Sequence, residues 1–311
     1  MQQYIIQTLK IVQFSDKLIS VLFFIFYFIF ILNKMNLFVS IVTPTYNRRK
    51  FIPILKKCIL EQNYDLDKIE WLIYDDGTDK IADLVCDLKF VTYYYSDNKK
   101  LISDKRNFLN DKVNGDYIVC MDDDDYYPPD RISYAIESLK KSNCLIGGAS
   151  KLYIYRSDLN IITQDGPYKG NHSCNGSLAY KREYLKNHKY ISNKKFGEEP
   201  SFLNERTEEL IQFDSMKTIL CIAHDNNTVK KHNYFDTKLQ LTNFINNKTI
   251  IQFYNNLRYT ITIVSEPCIL NLCNHLSNSL QKNGFKVNIV LSSNIIKHIN
   301  KYKNNKNHIF F

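Results

Sequence analysis

The stretch Tyr117-Ile118-Val119-Cys120-Met121-Asp122-Asp123-Asp124-Asp125-Tyr126-Tyr127-Pro128-Pro129-Asp130-Arg131 decides the fold. Its first five residues form an apolar run that predicts a buried strand, and its proline pair opens a helix carrying Ile132, Ala135, Ile136 and Leu139 on one face. Four carboxylates occupy the joint. Acids crowded at a strand end repel one another, and a bound cation relieves that cost. The stretch therefore predicts a strand, a candidate metal site at its tip, and a helix.

The same unit recurs upstream. Residues 38–43 predict a strand stopped by Pro44, and Ile52, Leu55, Ile59 and Leu60 keep helical spacing within 49–62. Residues 69–74 predict a second strand ending at Asp75-Asp76-Gly77, after which Ile81, Leu84, Val85 and Leu88 again keep helical spacing. A third strand over 91–95 and a third helix over 101–113 precede the opening stretch. Strands alternating with helices at this spacing predict an α/β fold, a mainly parallel sheet with helices on both faces.

Thr45-Tyr46-Asn47, Asp75-Asp76-Gly77 and the four aspartates all fall just past the carboxyl ends of strands. That is the crevice where open α/β sheets bind ligands. No GxGxxG or GxxxxGK[ST] run accompanies them, which argues against a dinucleotide oxidoreductase or a P-loop ATPase. Acids and amides from three strand ends suit a metal-bridged nucleotide diphosphate. Beyond 149 the pattern changes to short extended pieces at 151–156, 160–163 and 176–180. Glu198-Glu199 then stands ahead of a helix start, and a last strand over 218–223 ends at His224.

Taken together in this order, Val39-Ser40-Ile41-Val42-Thr43-Pro44-Thr45-Tyr46-Asn47-Arg48, Tyr74-Asp75-Asp76-Gly77, Lys105-Arg106-Asn107, Gly115-Asp116-Tyr117-Ile118 with the aspartate run, Pro129-Asp130-Arg131 and Glu198-Glu199 resemble the family-2 glycosyltransferases of GT-A fold, over about 38–229. The resemblance implies a Rossmann-like GT-A sheet and an inverting, hexosyltransferase-type transfer from a UDP- or GDP-sugar to an acceptor hydroxyl of a glycan, protein or lipid. It implies Mn²⁺ or Mg²⁺ as cofactor. It assigns Tyr46 to the base, with Thr43 and Pro44 on the same donor-binding strand end, and Asp76, with Asp75, as binding the base. Arg106 would approach the diphosphate. The Asp-x-Asp element maps on Asp122 and Asp124, with Asp124 the preferred metal ligand and Asp123 donor-binding; four consecutive aspartates leave the register open by one. Glu199 takes the general-base position and Glu198 is the fallback. His224 is either a further metal or diphosphate contact or a surface histidine. Two other readings stay open: a catalytically inactive nucleotide-sugar or carbohydrate-binding protein, and a sugar nucleotidyltransferase. The second lacks its Gly-rich phosphate loop after the first strand.

The bulk numbers agree with an ordinary globular chain. At 311 residues and 44% apolar content it can bury a core. The net charge of +9 lies wholly from Lys230 onward, where eleven Lys and Arg face only Asp236 and Glu266. Residues 1–229 balance, and nothing interleaves aromatic with basic residues as a nucleic-acid surface would. The eight cysteines form no CxxC pair and read as reduced core thiols, against a zinc cluster.

Residues 18–32 carry no charge and are flanked by Lys17 and Lys34. Fifteen residues fall short of the roughly twenty a spanning helix uses. A membrane anchor, translated upstream sequence and an uncleaved signal-like segment all fit; an anchor would hold the enzyme at the cytoplasmic face of a membrane. After 233, residues 234–257 read as a linker, within which 239–256 is a linker or a helix, and 258–311 as a partial Rossmann-like βαβ unit with strands over 258–264 and 286–291 and a helix over 269–283. The expected organisation is thus 1–34 hydrophobic segment, 35–233 GT-A domain, 234–257 linker, and 258–311 partial unit.

Overall fold

The computed structural model describes residues 37–157, 159–192, 197–224, 227, 235–257, 260–265, 274–275, 278–279, 286–291 and 308–310. Its main sheet is built on β1 (Val39–Thr45), every residue of which is buried. β2 (Ile69–Asp75) pairs parallel on one side, with β3 (Val91–Tyr95) parallel beyond it, and β4 (Tyr117–Cys120) pairs parallel on the other. β5 (Ile146–Gly148), β8 (Ala179–Lys181) and β9 (Ile211–Gln212) complete seven strands in the order β3-β2-β1-β4-β8-β5-β9. β8 runs antiparallel to both β4 and β5. The expected mainly parallel α/β sheet is met.

Alternate residues of these strands feed opposite faces, so near-continuous apolar runs are needed. Ile41, Trp71, Ile73 and Val119 pack with Ile52, Leu55 and Ile59 of α1 (Ile52–Leu60) and with Ile132, Ile136 and Leu139 of α3 (Arg131–Lys140). Val42, Leu72, Ile118 and Cys120 pack on the other side with Leu109 of α2 (Ile102–Asn110). Buried Gln62 ties α1 to α3: its Nε2 donates to Cys58 O and Pro128 O, and its Oε1 accepts from Ile132 N.

The helical spacing at 81–88 yields only a 3₁₀ turn at Ala82–Leu84. Ile81 and Val85 do enter the core, and the Ile81 N–H donates to the Asp75 carboxylate. The expected extended pieces after 149 become β6 (Leu152–Arg156) and β7 (Ile161–Asp165), an antiparallel pair in a second sheet of order β10-β6-β7-β11. β10 (Leu220–Ala223) lies parallel to β6, and β11 (Phe235–Asp236) antiparallel to β7. At 176–180 the strand shortens to β8, preceded by a 3₁₀ turn at Asn175–Ser177. Two four-residue helices, α4 (Glu199–Phe202) and α5 (Ser215–Thr218), precede β10.

Residues 239–257, expected as a linker, are seated on the first core. Leu241, Phe244, Ile245, Ile250 and Tyr254 are buried there, the last two on α6 (Lys248–Asn255). Asn247 caps that helix, its Oδ1 accepting from Thr249 N and Ile250 N. A third sheet, order β13-β12-β14, consists of β12 (Thr260–Ser265), β13 (Lys286–Leu291) and β14 (His308–Phe310), all parallel. The two expected strands are present, with β14 an addition; of the expected helix between them residues 274–275 and 278–279 are described and helical, and the apolar segment 18–32 lies outside the described residues. Among the described residues no helix is long and apolar enough to cross a membrane. Cys58 and Cys120 are free thiols and buried, Cys221 is buried, and free Cys86 is exposed.

The packing of α6 is testable. Ile250 is fully buried, so Ile250→Ala lowers stability to urea by about 2–4 kcal/mol, whereas exposed Gln252→Ala stays within about 0.5 kcal/mol. Equal, negligible effects would return 239–257 to a detached linker.

Candidate active site

The loops after β1 and β2 are locked together by Asn47. Its backbone sits in the left-handed region at φ 52, which asparagine tolerates, and its Oδ1 accepts from Thr78 N at 2.8 Å and Asp79 N at 3.1 Å. Gly77 is required opposite: a Cβ there would stand 2.6 Å from Asn47 N. Asp75 is fully buried, with Oδ1 accepting from Gly77 N and Oδ2 from Ile81 N and the Tyr93 hydroxyl. It shapes the turn and offers no surface to a ligand. Thr43 is likewise interior, its hydroxyl donating to Met121 O and accepting from Trp71 Nε1, and Pro44 is a buried β1 residue. These three were expected on the donor side; their side chains support the strand ends from within the sheet.

Beside them, Asp76 and Lys105 are buried, Tyr46 is partly exposed and Lys99 is exposed. Asp76 Oδ1 accepts from Lys105 Nζ at 2.8 Å and Oδ2 from Lys100 N at 2.6 Å. Burial pulls the Lys105 ammonium down from its usual range, and Asp76 opposes that pull. Tyr46 is partly exposed, with Lys99 Nζ 3.8 Å from its ring centroid.

The four aspartates alternate. Asp123 and Asp125 are buried, while Asp122 and Asp124 are partly exposed. Asp123 accepts from the Thr45 hydroxyl at 2.6 Å; burial first, and Asp124 second, push its carboxyl up to about 8. Asp125 Oδ1 accepts from Ile222 N at 2.8 Å, and Tyr126 bridges Leu220 in antiparallel fashion. Those bonds draw β10 to the aspartate loop and deliver His224. Asp124 Oδ2 thereby lies 3.0 Å from His224 Nε2, 2.5 Å from Arg48 Nη1 and 3.4 Å from Asn227 Nδ2. Burial lowers the His224 pKa against the pull of Asp124, favouring the neutral ring that can donate a lone pair to a metal.

Asp122 leads to the other side of the site. Its Oδ1 is 3.0 Å from Arg106 Nη1, an ion pair without hydrogen-bond alignment, and Arg106 Nε donates to Glu198 Oε1 at 2.9 Å. Glu198 is buried and also accepts from Asn175 Nδ2 at 2.8 Å, while Asn175 Oδ1 accepts from the Tyr190 hydroxyl at 2.6 Å. Gly176 brings this turn against the aspartates, since a Cβ would stand 3.2 Å from Asp122 Oδ2. Glu199, first residue of α4, is partly exposed; desolvation, then the Glu198 charge, raise its pKa.

Among the described residues no group of three or more His, Cys, Asp or Glu is arranged to hold a metal. The pair Asp124 Oδ2 and His224 Nε2 still fits one: 3.0 Å is the separation of neighbouring ligands in an octahedron with bonds of about 2.1 Å. Such an ion binds through one or two protein groups plus substrate phosphates. Sequence reasoning did not single out Arg48, Lys105, Asn175, Tyr190 or Asn227. Arg48 and Lys105 stood inside the quoted motifs, but nothing local marks Asn175 or Asn227, which act only through distant partners.

Comparison with known proteins follows this geometry. The family described as glycosyl transferase family 2 matches residues 40–201. No curated protein matches the chain. Among solved structures, S. aureus TarS 1-349 in complex with UDP-GlcNAc is similar at 15% identity and a TM-score of 0.50, covering 61% of this chain and 60% of that one. Mannosyltransferase PcManGT from Pyrobaculum calidifontis, in complex with GDP-Man and Mn2+, is similar at 19% identity and a TM-score of 0.47, covering 60% of this chain and 56% of that one. The likeness to TarS shows a shared fold, and the chain spans about three fifths of that protein's solved length.

The inward-facing acids give a stability prediction. Asp75→Ala leaves three donors without an acceptor, so it lowers stability in urea unfolding by about 2–4 kcal/mol; an unchanged unfolding midpoint would contradict its interior role.

Proposed function

The chain belongs to glycosyl transferase family 2, and from that premise we propose that its strand-end crevice moves a sugar from a nucleotide-diphosphate-sugar to an acceptor hydroxyl, with inversion and with Mn²⁺ or Mg²⁺. One observation carries this reading. Arg106 meets Asp122 of the aspartate run at 3.0 Å and Glu198, next to Glu199, at 2.9 Å. Donor-side and acceptor-side acids thus stand one guanidinium apart, which suits a single displacement between them.

Tyr46 offers a ring to the nucleotide base. Asp76, held by Lys105 and Lys100 with its side chain buried, is assigned to the base N–H from its place in the family motif. Asp124 and His224 would hold the metal, which when bound supplies positive charge against that building on the departing diphosphate. Arg106 adds a second positive charge on the same side. Glu199 is the general base: it is accessible, its raised pKa suits proton uptake, and it takes the proton of the attacking hydroxyl. Glu198, the fallback, is committed to Arg106 and Asn175 and acts by holding Arg106.

Nucleotide release from UDP- and GDP-sugars with Mn²⁺ tests the reading. Glu199→Gln is expected to keep donor binding and lower kcat by about 10²–10⁴-fold, and Asp124→Asn to lose the Mn²⁺-dependent part of donor binding. Donor binding without turnover on any donor and acceptor tried would favour the inactive binder.

The pH profile adds a second check. A base works deprotonated, so activity falls as pH drops through the Glu199 pKa, which lies above the usual glutamate value of about 4.3. Glu198→Gln removes the adjacent negative charge and should move this acid limb to lower pH. A limb that stays in place would separate the two glutamates electrostatically and sink the assignment.

A further inference from the structure

Arg48 stands where a cation would. Its Nη1 lies 2.5 Å from Asp124 Oδ2 and 3.0 Å from His224 Nε2, and those two atoms are themselves 3.0 Å apart. One guanidinium nitrogen therefore meets both atoms assigned above to the metal, and the inference rests on that assignment.

The arrangement is braced from several directions. Phe51, 1% exposed, packs its ring 4.5 Å from that of His224 and 5.9 Å from Arg48 Cζ. Asn227 spans the same group: its Oδ1 accepts from His224 N at 2.6 Å, and its Nδ2 donates to Ile222 O at 3.1 Å and lies 3.2 Å from His224 Nε2. The Arg48 and Asp124 side chains are only 12% and 14% exposed, so water screens their attraction weakly. A guanidinium and a divalent cation cannot both occupy this corner, because like charges at such distances repel strongly where screening is poor.

We propose that Arg48 competes with the divalent metal for Asp124 and His224 and is displaced when the metal enters. Metal uptake then depends on the extra oxygens a donor diphosphate supplies, and the lone protein holds its metal loosely. The role is one of gating: Arg48 sets metal occupancy.

The test is titration of the full chain with Mn²⁺, without nucleotide, reading free Mn²⁺ by electron paramagnetic resonance. Arg48→Met, which removes the charge and offers no ligand oxygen, is expected to bind Mn²⁺ about tenfold more tightly than wild type, a difference of about 1.4 kcal/mol. Arg48→Lys keeps a positive charge and should bind no more tightly than wild type. Asp124→Asn should bind more weakly than any of them. Mn²⁺ binding that depends on Asp124 but is not tightened in Arg48→Met overturns the competition and leaves the metal assignment standing. Equal tightening in Arg48→Met and Arg48→Lys assigns the effect to packing and also overturns it. No Asp124-dependent binding in any of the four proteins overturns both this inference and the metal assignment.

Discussion

Four consecutive carboxylates cannot share one side of a strand end without strong mutual repulsion, and the structure resolves this by giving each a different partner. Asp122 meets Arg106, Asp123 the Thr45 hydroxyl, Asp124 the group of Arg48, His224 and Asn227, and Asp125 the Ile222 amide. Each partner comes from another part of the chain, so relieving the repulsion also assembles the site. The bond from Asp125 to β10 shows this most directly. It binds no candidate ligand, yet it brings His224 across a hundred residues of sequence to Asp124.

A second electrostatic constraint links the two halves of the crevice. Buried Arg106 is costly to desolvate, and Asp122 and Glu198 together hold its charge so firmly that its pKa rises well above the ordinary value. Glu198 is thereby immobilised, while Glu199 beside it keeps access to the crevice and feels Glu198 as a nearby negative charge. Two adjacent glutamates thus acquire different environments, and different environments are what separate acid–base roles.

Legibility was highest where chemistry and periodicity coincide in a short window. The order of β1 to β4, the helices after β1 and β4, and the strand-end placement of Tyr46, Asp76 and the aspartates follow from runs of apolar residues that end in polar ones. The segment 81–88 misled because Ile81 and Val85 are buried at helical spacing, although only a 3₁₀ turn forms between them. Asp75 and Thr43 misled in another way: polar side chains in a motif can satisfy backbone groups inside the sheet, and composition does not distinguish that from facing a ligand. Residues 239–257 lack the motifs of the first 230 residues, yet Ile250 and Tyr254 complete the same core.

The sequence by itself determined the α/β class, the family and the set of acids at the strand ends, because strand period, helix period and motif order are local properties of the chain. Only the tertiary structure decided which acids are accessible. Whether a carboxylate faces the crevice or a backbone amide depends on what the fold packs beside it, and for Asp124, Asp125 and Glu198 those neighbours lie 23 to 100 residues away. The alternation that turns Asp123 and Asp125 inward and leaves Asp122 and Asp124 accessible rests on the Thr45 hydroxyl at the end of β1 and the Ile222 amide of β10, which no single segment encodes.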